Sequence, residues 1–232
     1  MIDSYIASKL QNMGNMLSSK INEHTLNDLC HVNLKFHLTD RGSLKFQLYW
    51  QKLVFEHNYY DRKDVFFREF KQMYSLQGID NDYLDFLEKN KQDIKTFFQN
   101  KDYFEIYKKY FSKAQIRRKN NTMGKELGSF YTKLLNSFDP NRFTALDNPI
   151  KNYFGFKSEG FFISYCIINK GYQQFIETNK NLFISMRSIF LQIDKQDKLK
   201  ICSVPELKIL DLIFWYEANL AVEKAKRNIH VR

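Results

Sequence analysis

Apolar residues recur every three or four positions over most of this chain, the spacing of helix faces. Between residues 3 and 19, Ile6, Leu10, Met13 and Leu17 share one face and predict a first helix. The stretch HTLNDLCHVNLKFHL fits two periods: Val32, Leu34, Phe36 and Leu38 alternate as in a strand, whereas Leu26 and Leu29 suit a helix. From GSLKFQLYWQKLVFEH onward the pattern is helical, with Leu44, Leu48, Trp50, Gln51 and Phe55 near one face. DRKDVFFREFKQMYSLQG opens on acidic capping residues and closes on Gly78, a helix start and stop. DNDYLDFLEKNKQDIKTFFQN and KDYFEIYKKYFSKAQIRRK read as two further amphipathic helices, aromatics on one side and lysines on the other.

The pattern is interrupted at residues 115–126, QIRRKNNTMGKE, a polar and basic stretch that reads as a boundary. It divides an N-terminal helical lobe, 1–119, from a C-terminal part, 120–232, although both can pack as one unit. Beyond it LGSFYTKLLNSF predicts a helix and DPNRF a turn. DNPIKNYFG predicts a short helix capped by Asp147 or Asn148, with Pro149 in its first turn. EGFFISYCIINKGYQQFIETN and LFISMRSIFLQID follow as helices, and SVPELKILDLIFWYEANLAVEKAKR closes the chain with Ser203 as cap. The expected fold class is all-α, with about ten helices in two lobes and the first and last helices meeting. Only 8 Gly and 3 Pro punctuate the 232 residues, which favours long helices over short strands.

Composition narrows the function classes. Hydrophobic residues make up 44% and aromatics 16%, enough for a folded core and against a disordered chain. Cys30, Cys166 and Cys202 lie far apart without a CxxC, as reduced thiols of a cytoplasmic protein do. The first residues show no signal-peptide pattern, and no apolar run approaches the roughly 20 residues of a membrane span. Phosphate-loop, dinucleotide, zinc-protease and serine-hydrolase motifs are absent, and the five histidines do not form a zinc set with the cysteines. Neither metal nor cofactor is expected. The formal charge of +10 favours a phosphate-rich partner, although an AT-rich genome enriches lysine in any protein.

One segment places charges where the apolar pattern does not call for them. In GSFYTKLLNSFDPNRFTALDNPIKNYFG, Lys133 interrupts a helical apolar run, and Asp147 follows 14 residues later (147 − 133). FYTKLLNSFDPNRFTALDNPIKNYFG resembles the catalytic segment of the helix-hairpin-helix DNA glycosylase superfamily, specifically its 8-oxoguanine glycosylase-like branch. In that branch a glycine-containing hairpin leads into a helix beginning Thr-Lys, and a catalytic aspartate opens the next helix. Thr132-Lys133 matches the pair and Asp147 the aspartate, with one glycine, Gly128, in the hairpin position. The resemblance covers about 30 residues. It implies a two-lobed fold that binds duplex DNA containing a modified or damaged base, with Lys133 attacking C1′ and Asp147 supporting the sugar cation. The base, the occurrence of strand cleavage, and a role in repair or in defence against phage all stay open.

The residues carry a plainer reading too, with Lys133 a solvated helix lysine and Asp147 a helix cap. The corresponding alternative function is a non-catalytic helical module that binds nucleic acid or protein. Arg117, Arg118, Lys119, Lys125, Gly128 and Lys151 are the candidate DNA contacts, at or near the hairpin and after the aspartate. Trp215 and Tyr216 in the last helix are candidates to stack on an extruded base, although aromatics at helical spacing more often belong to a core.

Overall fold

Helical spacing becomes helix nearly throughout the computed structural model, which describes residues 2–38, 58–62, 64–76, 78–118, 121–193 and 204–230. Helix α1 (Ile2–Lys20) buries Met13 and Leu17 against α10 (Phe161–Thr178). There the Met13 thioether occupies the space beside Gly171, 2.6 Å from where a Cβ would stand. Helix α2 (Leu26–Leu38) resolves the two-period stretch. It buries Leu26, Cys30 and Asn33 at helical spacing and leaves Val32 exposed, whereas a strand would have turned Val32 inward with its alternate neighbours. The helix expected over residues 42–57 and the Ser203 cap lie outside the described residues.

The middle of the chain is more broken than its periodicity predicts. Helix α3 (Tyr59–Arg62) and helix α4 (Phe66–Met73) take the place of one helix, and α4 ends five residues before Gly78 (78 − 73). No side chain caps α4; Phe66, Phe67 and Phe70 hold it in the core. Helices α5 (Asn81–Lys89) and α6 (Lys91–Gln99) divide at Asn90, with the Asp80 side chain capping α5. Helix α7 (Tyr103–Ile106) continues into a π-helical turn, Tyr107–Phe111.

The helix expected over KDYFEIYKKYFSKAQIRRK does not reach Arg118. Instead β1 (Ala114–Arg118) pairs antiparallel with β2 (Asn121–Lys125), Ala114 opposite Lys125 and Arg118 opposite Asn121. Periodicity missed this hairpin because the backbone ladder satisfies the polar stretch without an apolar face.

Helix α8 (Gly128–Phe138) comes next, then α9 (Asn148–Tyr153), α10, α11 (Lys180–Ile193) and α12 (Glu206–His230). Helix α12 packs on α9, α10 and α2, α11 packs on α2, and Lys20 of α1 pairs with Glu217 of α12 at 3.0 Å. The first and last helices do meet. Buried residues from both sides of the hairpin, from Met13 to Ala218, form one contiguous cluster. Among the described residues the fold is all-α apart from the hairpin, and no helix is long and apolar enough to cross a membrane.

Candidate active site

Helix α8 is buried on almost every side, with Phe130 to Ser137 all shielded from solvent. A helix in that position must satisfy its polar side chains locally. It does so with two i, i+4 rows, Thr132 with Asn136 and Ser129 with Lys133. The irregular stretch 139–147 runs back along α8 and meets both. Asn136 Nδ2 donates to the Phe143 carbonyl at 2.6 Å. Thr132 Oγ1 accepts from the Leu146 N–H at 3.0 Å and donates to the Leu146 carbonyl at 3.1 Å.

Helix α10 holds the same stretch from the other side. Asn169 Oδ1 accepts from the Thr144 N–H at 2.8 Å, while Asn169 Nδ2 and Gln173 Nε2 donate to the Arg142 carbonyl. Gripped in this way, the chain delivers its next residue, Asp147, beside Lys133.

The two side chains form a direct ion pair. Lys133 Nζ donates to Asp147 Oδ1 and, at 2.8 Å, to Ser129 Oγ; Ser129 Oγ donates in turn to the same carboxylate oxygen. The Lys133 side chain is 10% exposed and that of Asp147 29%, so the pair opens at its acidic end. Asp147 occupies the N-cap position of α9 with extended backbone, yet its side chain makes no capping bond. Pro149 at the second helical position has no N–H to offer it. A solvated lysine and a helix cap therefore do not describe these two residues.

Burial works against ionisation of Asp147, and the Lys133 ammonium, the Ser129 hydroxyl and, farther off, Lys208 overcome it. The net effect holds the carboxyl below the ordinary aspartate range. A second buried pair stands nearby on α12, where Lys208 Nζ lies 2.7 Å from Asp211 Oδ2. Burial pushes the Asp211 carboxyl up; Lys208 and Lys133 oppose that push and Asp147 adds to it. Two carboxyl groups in one charged cluster are thus driven apart, Asp147 toward the ionised form and Asp211 away from it.

No family model, no curated protein and no solved structure matches the chain.

Other candidates scatter around this centre. Arg117 and Arg118 sit in β1 opposite Thr122 and Asn121, Lys125 ends β2 exposed, and Lys119 lies outside the described residues. Lys151 is buried, its ammonium 3.5 Å from the Lys157 carbonyl, so its charge does not front the surface. Gly128 serves close packing: a Cβ there would stand 2.2 Å from the Phe161 ring. Trp215 and Tyr216 are half-buried on α12, and Trp215 packs against the core one helical turn beyond Asp211. Among the described residues no cluster of histidine, cysteine or acidic groups could hold a metal ion.

Sequence reasoning passed over Ser129, Asn136, Lys208 and Asp211. The last two carried a legible signal, charges inside the apolar run LKILDLIF, whose other residues are mostly buried.

Proposed function

We propose that the chain is a helix-hairpin-helix glycosylase-like protein that excises a modified base from duplex DNA, with Lys133 as nucleophile and Asp147 as electrostatic partner. One observation carries this reading: a buried lysine in direct contact with an aspartate that occupies a capping position without capping. A buried ion pair adds little net stability, and a perturbed pair of this kind is a candidate for chemistry. The +10 charge suits a polyanionic partner. Trp215 and Tyr216 are the aromatic groups offered to an extruded base.

In the reaction the Lys133 ammonium gives one proton to solvent. The freed lone pair bonds to C1′ of the flipped nucleotide while the bond from C1′ to the base breaks, and the departing base takes up a proton. Ionised Asp147 stabilises the positive charge that builds on the sugar meanwhile. Opening of the sugar ring, with a proton going to its oxygen, leaves an imine on Lys133; strand cleavage by β-elimination can follow.

A non-catalytic binding module is favoured by a different observation: the Lys133 ammonium is engaged by Asp147 and Ser129 and has little open surface. Borohydride trapping separates the two readings, using duplexes that carry an abasic site or one of a panel of modified bases. Excision chemistry gives a covalent adduct that Lys133→Gln abolishes while duplex binding persists. An adduct that survives Lys133→Gln, or none with any duplex the protein binds, overturns the glycosylase reading.

A further inference from the structure

Base excision by this site requires two states that an ion pair opposes. Lys133 must be neutral to attack, and Asp147 must stay ionised to support the sugar cation. Once Lys133 loses its proton, its contact no longer supplies a positive charge, and the upward push of burial on the Asp147 carboxyl is opposed by one cation fewer. A second cation offsets that loss.

The fold supplies one. Helix α12 packs on α9, the helix that Asp147 begins, and carries Lys208 inward with its side chain only 4% exposed. Asp211, one turn on and 9% exposed, fixes that ammonium at 2.7 Å. Lys133 and Ser129 from α8 touch Asp147, and Lys208, on the α12 helix that packs against α9, lies within its field. The groups facing Asp211 are Lys208 on its own helix, Lys133 from α8, and Asp147 itself. The tyrosines Tyr74, beyond α4, and Tyr172, on α10, also lie within its field. The four side chains, Lys133 with Asp147 and Lys208 with Asp211, thus form one cluster.

We propose that Lys208, fixed by Asp211, is a positioning residue for this pair: its charge keeps Asp147 ionised while Lys133 is neutral. The inference rests on Lys133 being the nucleophile, yet its central statement concerns Asp147 and can be measured without DNA. The balance of positive charge explains why a second lysine is buried here at all. One ammonium serves as the latent nucleophile, and the other takes no part in bond making.

Lys133→Met imitates the neutral nucleophile. The ionisation of Asp147 is followed by carbon NMR of aspartate carboxyl groups, with Asp147→Asn identifying the resonance. In Lys133→Met the Asp147 carboxylate should remain ionised at neutral pH. In Lys133→Met/Lys208→Met its titration midpoint should rise by about one pH unit or more, and Lys133→Met/Lys208→Arg should bring it back down. Should the double variant fail to fold, Lys133→Met/Lys208→Met/Asp211→Leu replaces the second pair by apolar groups and preserves the comparison. An identical midpoint with and without Lys208 overturns the proposal.

The matching activity readout is covalent trapping by the otherwise native protein on a duplex with one abasic site. Lys208→Met should move the acid limb of its pH profile upward, and Lys208→Arg should restore it. A dependence of Asp147 on Lys208 in a protein that traps no DNA supports the electrostatic role and removes the glycosylase reading alone.

Discussion

At the scale of the residue, Asp147 offers a substitution that separates its two possible roles. As a helix cap, Asp147→Asn would be almost silent, because asparagine caps as well as aspartate. As the partner of a buried ammonium it should cost about 2 kcal/mol, the range of a hydrogen bond to a charged group. The pH dependence follows from the depressed carboxyl. Its contribution is complete above the ordinary aspartate value of about 3.9 and is lost as pH falls through its lower folded value. Urea melts of wild type and Asp147→Asn should therefore differ at neutral pH and converge in acid. Equal stability at neutral pH would return Asp147 to the role of a cap.

At the scale of the element, the grip of α8 on residues 143–147 decides whether Lys133 has a partner. Thr132→Val removes a hydroxyl that serves both the N–H and the carbonyl of Leu146. Leaving those buried backbone groups unmatched should cost about 1–3 kcal/mol, with a loss of trapping greater than the loss of stability explains. Thr132→Ser, which keeps the hydroxyl, should recover both in a comparison of melting and trapping; if it recovers neither, the grip is not what positions Asp147. Gly128→Ala tests the start of the same helix. Its methyl would enter the Phe161 ring, and overpacking of this kind costs about 1–3 kcal/mol. Thermal unfolding of this variant at or above the wild-type temperature would show that α10 yields easily.

At the scale of the whole molecule, the formal charge of +10 predicts the manner of binding. Affinity for any duplex should fall steeply between about 50 and 200 mM salt as counterions are released. Fluorescence anisotropy with labelled duplex measures this directly, and a flat response or no binding at low salt would remove DNA as the partner. Lys133→Gln should leave that slope nearly unchanged, because the ammonium of Lys133 is buried in an ion pair.

Helix dominance and the main buried faces were legible in the chain itself, because a 3.6-residue repeat leaves a mark on every stretch that packs one face. The Lys133–Asp147 pair was legible as well, since two charges stood at odds with an apolar pattern. The hairpin at 114–125 was not, because backbone pairing satisfies a polar stretch without an apolar signature. Nor did local sequence divide α3 from α4 or α5 from α6, where breaks depend on how each short helix seats its aromatics in the shared core. Only the tertiary structure showed that Asp147 forgoes its cap, because the choice depends on Pro149 withholding a donor and Ser129 and Lys133 supplying others. It alone brought Lys208 and Asp211 from more than 60 residues away (208 − 147 = 61) into the field of that pair. Periodicity records which face of a helix is buried; which buried charges meet is set by the packing of α12 on α9.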